Sequence, residues 1–145
     1  MYLSYDQYVA YGGTITDSAT FSDYLFEAER LIDWYTFGRL RNETTFPEDV
    51  SRCAYKLINL IQMKNELLKS AALGVSSAGQ SGNIASQSND GVSISYNVVG
   101  ASEAFGLINN NGKGNEAETL VNRYLQNVTD SKGRKVLYRG IYADE

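Results

Sequence analysis

The sequence predicts a mainly α-helical protein, a small bundle of about four helices with a long loop carrying a short β-strand or hairpin and an extended C-terminal tail. Three observations predict it. Apolar residues recur at spacings of three and four in several capped stretches, which is the signature of amphipathic helices. From residue 74 to 100 the composition turns to Ser, Gly, Asn and Gln, and Asp90 is the only charge between Lys69 and Glu103. Past Thr129 the chain carries both basic and apolar residues without helical periodicity. A length of 145 residues fits one domain with a core of its own. Within it, 4–72 and 115–128 form the bundle, 74–100 an interaction loop and 130–145 a docking tail.

Taken in order, Ser4 and Gln7 have the capping-box spacing, and Tyr5, Tyr8, Val9 and Tyr11 give a short helix closed by Gly12-Gly13. So short a helix must dock on something to persist. Thr20 and Asp23 repeat the cap spacing, and Phe21, Tyr24, Leu25, Ala28, Leu31, Ile32 and Tyr35 form a second stripe ending near Gly38. Asp33 and Arg39 flank that end, and the arginine is expected to pair with the aspartate and satisfy late carbonyls. The short polar link to Phe46 makes the next helix an antiparallel neighbour, fitting an ordinary hairpin better than a helix-turn-helix.

That next helix is the longest, from Phe46 to Ala72. Pro47 suits its first turn, Glu48 and Asp49 complement its dipole, and Val50, Cys53, Ala54, Leu57, Leu60, Ile61, Leu67, Leu68 and Ala71 make its stripe before Gly74 stops it. In the loop, Val92 to Val98 alternates apolar and polar after the turn signal Asn89-Asp90-Gly91. Such a strand needs a partner, either an earlier part of the loop or another chain. Residues 103–108 add a helical turn, and Glu116, Ala117, Leu120, Val121, Tyr124, Leu125 and Val128 a last amphipathic helix. The tail from Lys132 to Tyr142 is too apolar for a solvated terminus and is expected to bind something.

Composition removes whole classes of chemistry. With no histidine, Ser-His and Cys-His nucleophile pairs and histidine-ligated zinc are excluded within one chain. The lone Cys53 falls on an apolar stripe and reads as a buried thiol, and a single cysteine makes no internal disulfide, which suggests a reducing compartment. Glu27 and Glu29, like Glu116 and Glu118, are two apart and share no helical face. The run Gly106 to Lys113 misses the phosphate-loop spacing by one residue. No cofactor, metal or catalytic residue is therefore expected, and the protein is read as a non-enzyme. The first residues lack the basic and apolar regions of a secretory signal, and no run is long enough to span a membrane. A soluble protein is expected, with the sequons at Asn42 and Asn127 arising by chance. A net charge of −4 argues against phosphate neutralisation as the main source of binding energy. Eleven tyrosines against five phenylalanines point to contact surfaces, since tyrosine adds a polar tip to apolar area.

The order of parts, namely the short N-terminal helix, Ala28-Glu29-Arg30-Leu31-Ile32-Asp33-Trp34-Tyr35-Thr36-Phe37-Gly38-Arg39, the Pro47-led long helix, the Ser/Gly loop entering Val92-Ser93-Ile94-Ser95-Tyr96, and Val136-Leu137-Tyr138-Arg139-Gly140-Ile141, resembles the head–tail connector (adaptor) proteins of long-tailed bacteriophages. The resemblance covers nearly the whole chain. It implies a structural virion protein assembled in the host cytoplasm as a ring of about twelve copies under the portal. Such a ring extends the DNA channel and offers a platform to the stopper or tail-completion protein, and packaged DNA passes without specific binding. It further implies portal contact through Leu137, Tyr138, Arg139, Ile141 and Tyr142, and subunit or channel contact through Val92, Ile94, Tyr96 and Val98. A helical DNA-binding protein and another neck component (stopper or tail-completion protein) are the alternatives.

Overall fold

A computed structural model describes residues 1–76, 86–89, 92–95 and 115–142. Among these residues lie four helices, α1 (Tyr5–Ala10), α2 (Ser18–Tyr35), α3 (Glu48–Ser76) and α4 (Glu116–Leu125), and two strands, β1 (Ser86–Asn89) and β2 (Val92–Ser95). The chain is a small helical bundle centred on α3, which packs against both α2 and α4.

The α1 capping box forms as its sequence predicts: the Ser4 hydroxyl accepts from the Gln7 amide at 3.2 Å and the Gln7 side chain accepts from the Ser4 amide at 3.0 Å. Docking comes through Tyr8, fully buried, whose ring lies 5.0 Å from Phe21 and 5.7 Å from Tyr55. Its hydroxyl accepts from the amides of Thr14 and Ile15, so the chain leaving α1 is tied back to it. A Cβ on Gly13 would collide with that ring, which explains the glycine. The segment before α1 is held as firmly. Tyr2 donates its amide to Glu29 at 2.6 Å and its hydroxyl to Asp33, and its carbonyl accepts from the buried Ser51 hydroxyl at 2.8 Å. Since Tyr2 joins Asp33 to Ser51 while Tyr8 joins Phe21 to Tyr55, α2 and α3 run in opposite directions. Burial raises the Tyr2 phenol, and the hydrogen bond to Asp33 and that carboxylate's charge push it further.

Two boundaries differ from the sequence reading. The α2 cap is Asp17, whose carboxylate accepts from the Thr20 amide at 2.9 Å and hydroxyl at 2.6 Å, so Thr20 is the capped residue and not the cap. These bonds hold the Asp17 carboxyl below the usual carboxylate range. Asp17→Ala is expected to lower the melting temperature clearly, while Asp23→Ala leaves it unchanged; equal effects in thermal unfolding would refute the assignment. At the other end, α3 does not stop at Gly74 but continues to Ser76. A single glycine costs a helix only about 1 kcal/mol relative to alanine, which the preceding turns override.

The core gathers Leu25, Ala28 and Ile32 from α2, Val50, Cys53, Ala54, Leu57, Ile58, Leu60 and Ile61 from α3, and Ala117, Val121 and Leu125 from α4. Each fully buried Leu, Ile or Val contributes about 1.5–3 kcal/mol by leaving water. Ile58, off the predicted stripe, is fully buried because α3 is covered on two sides. Cys53 is the buried thiol the sequence predicts, and burial pushes it up to about 12, so it is protonated and unreactive at neutral pH. Leu67 and Leu68 are only partly covered and lie outside the core cluster.

The strand beginning at Val92 finds its partner within the chain, an antiparallel hairpin in which Val92 stands opposite Asn89 and Ile94 opposite Gln87. Of the expected loop-contact residues, Val92 and Ile94 lie on β2. Tyr96 and Val98, and the helical turn expected at 103–108, lie outside the described residues.

Candidate functional site

The tail folds against its own body, and the device that holds it is Arg39. After Tyr35 the chain makes two left-handed residues in succession, Phe37 at φ +56° and Gly38 at φ +71°, and the Gly38 amide reaches back to the Asp33 carbonyl at 2.8 Å. This reversal sends Arg41 to Asp33, with Nε 2.7 Å from the carboxylate. Arg39, which the sequence analysis pairs with Asp33, instead turns to the tail. Its guanidinium donates to the carbonyls of Val136 at 3.3 Å, of Tyr138, and of Gly140 at 2.8 Å. It also lies 5.0 Å over the Tyr142 ring and 5.3 Å over Phe37. The planar fork suits this work, because one side chain spans three carbonyls at alternate positions of the tail.

The tail is also braced from its own start. Asp130 is a buried carboxylate that accepts from the amides of Lys132 at 3.0 Å and Arg134 at 2.9 Å and from Arg134 Nε at 2.7 Å. Its own amide donates to the Arg134 carbonyl, and Gly133 supplies the left-handed φ of +77° that closes the turn. Burial alone would raise the Asp130 carboxyl, but the hydrogen bonds from Arg134 and Lys132, with the Arg134 charge, outweigh it and hold it below the usual range. The turn carries Val136 into the core.

Of the five tail residues expected to meet a partner, Leu137 packs partly buried against the core. Tyr142 is engaged within the chain, its ring 4.9 Å from Tyr138 and its hydroxyl donating to the Lys135 carbonyl. Arg139 pairs with Glu118 at 3.1 Å, and Tyr138 is half exposed. Ile141 is 87% exposed.

Beside this tail runs a surface the helical stripes do not include. Phe26, Arg30 and Trp34 sit at i, i+4 and i+8 of α2, one above the next on its outer side. Phe26 is 63% exposed, Trp34 77% and Phe37 57%. Two hollows meet at Trp34. One of about 790 Å³ is walled by Trp34, Tyr35 and Phe37 on the α2 side and by Asn115, Glu118 and Arg139 on the other. A second of about 340 Å³ lies between α2 and α3. Asn115, which caps α4 through the Glu118 amide at 2.5 Å, also shares two hydrogen bonds with the Tyr35 hydroxyl, so the larger hollow has a fixed wall. The sequence carried the signal for this band: Phe26 and Trp34 are large aromatics off the buried stripe of an amphipathic helix, and reading for the stripe alone passes over them.

No three Cys, Asp or Glu side chains among the described residues come together as metal ligands, and no described helix is long and apolar enough to cross a membrane. Comparison with known protein families, with characterised proteins and with solved structures finds no match. The described surface thus carries exposed aromatic rings, an ion pair at the rim of the larger hollow and a clasped tail.

Proposed function

We propose that the chain is a head–tail adaptor of a tailed-bacteriophage virion, a structural, non-catalytic protein of the neck that assembles as a ring of about twelve copies under the portal. The ring extends the DNA channel and provides the platform on which the stopper or tail-completion protein attaches. The observation that supports this reading best is the exposed aromatic band of Phe26, Trp34 and Phe37 on a helical body. A protein working alone gains nothing by keeping such rings wet, whereas rigid aromatic anchors are what assembly interfaces use. Tyr138 and Arg139 give the tail its outer side, which in this role meets the portal. The net charge of −4 favours a conduit, since DNA slides past a wall that does not neutralise its phosphates.

Native mass spectrometry and negative-stain imaging over rising concentration, with and without the portal protein of the same phage, test the proposal. Closed rings, or a monomer that closes into a ring on the portal, are the expected result. A monomer or dimer indifferent to the portal would overturn it, and a salt-dependent shift of duplex DNA at physiological ionic strength would favour the helical DNA-binding alternative.

A further inference from the structure

The smaller hollow has a definite chemistry. It is lined by Phe26, Glu27, Arg30, Leu31 and Trp34 of α2 and by Lys64 of α3. Neither Arg30 nor Lys64 has an ion-pair partner among the described residues, and among those residues Glu27 is the only carboxylate in the lining, so their part of the groove sets two cations and one anion around apolar rings. In a chain of net charge −4 that is a local reversal of sign. The same chain carries the complement. Ile141 is the most exposed large apolar side chain described, and Tyr142-Ala143-Asp144-Glu145 follows it in the sequence. An apolar residue with two carboxylates three and four positions on spans roughly 10–14 Å when extended, a length suited to laying one side chain on an aromatic pair while the acids meet cations at the rim.

We propose that residues 141–145 of one copy dock in the Phe26–Trp34 groove of a neighbouring copy, with Ile141 on the aromatic rings and Asp144 and Glu145 against Arg30 and Lys64. The inference rests on the ring reading above and names its contact. Within one copy the described part of the tail is held away from this groove: the Arg39 clasp holds the chain as far as Gly140, Tyr142 lies over the same guanidinium, and Ile141 stands in solvent between them. Every copy carries both groove and tail, so a contact that passes head to tail from copy to copy closes into a ring where the rotation permits, as the ring reading requires.

The test uses the full chain, with sedimentation velocity and Trp34 emission followed over concentration. Trp34 is the only tryptophan, so its emission reports its own burial. Wild type is expected to associate with a blue shift of emission, more weakly as salt rises. R30E/K64E has an acidic groove and an acidic tail, and D144K/E145K has a basic groove and a basic tail, so each is expected to lose self-association by about tenfold or more. The equimolar mixture restores both complementary contacts and is expected to regain it, which also shows that both variants fold. A wild type that stays monomeric, association without a change in Trp34 emission, or a mixture no better than its components would each overturn the contact. Rings that survive both reversals would refute this interface and leave the adaptor reading standing.

Discussion

Asp130→Asn is expected to destabilise the protein by about 2–4 kcal/mol at neutral pH, the cost of disturbing a buried, charge-assisted network. The carboxylate serves two backbone amides and one guanidinium, and an asparagine amide supplies one acceptor oxygen while turning its own N–H groups toward donors. The dependence on pH is the sharper part of the expectation. Because the folded-state carboxyl is depressed below its ordinary value, its contribution is present above the unfolded value of about 3.9 and is lost as pH falls through the lower, folded value. Chemical unfolding of wild type and variant should therefore show a wide gap at pH 7 that narrows in acid below pH ~4. A gap of constant width would mean that the charge is not what the turn depends on.

Arg39→Ala is expected to undock the tail. Removing the guanidinium leaves the carbonyls of Val136, Tyr138 and Gly140 without their shared donor and takes the cation from the Tyr142 ring. At about 2–3 kcal/mol for charge-assisted bonds at a partly exposed site, opening of residues 137–142 should become on the order of a hundredfold more frequent. Amide exchange and tryptic cleavage after Arg139 report it directly. The helical core should keep most of its stability, since Val136 remains packed. Arg39→Lys should recover only a small part, because an ammonium is a point donor that cannot bridge three acceptors. Unchanged exchange in the alanine variant would mean that side-chain packing alone holds the tail.

What could be read from the sequence was local, and what could not was distant. The Ser4 and Gln7 box, the stripes of α2 and α4 and the burial of Cys53 depend on neighbours within a turn or two, and they stand as expected. The α2 cap was ambiguous because Asp17 with Thr20 and Thr20 with Asp23 have the same spacing; the backbone begins its helix at the earlier one. Ile58 was missed because a stripe describes one covered side, and α3 is covered on two. The partner of Arg39 lay beyond any pattern, since it donates to residues 97 to 101 positions away while a carboxylate of the right charge stood six positions before it. The exposed aromatic surface was legible in principle, as large rings at positions where an amphipathic helix should have been polar.

The length of α3 has a mechanical consequence. Among the side chains described, its last fully buried residue is Ile61, yet the helix runs on to Ser76, about 22 Å at 1.5 Å per residue. Over that distance the helix is a lever whose fulcrum is the core. A tilt of about 10° at the fulcrum, small enough for packed helices to absorb by sliding, displaces the tip by roughly 4 Å, a little less than the spacing of about 4.8 Å between neighbouring strands in a sheet. A strain applied to the body of the bundle is thereby magnified at the point where the chain leaves for its hairpin.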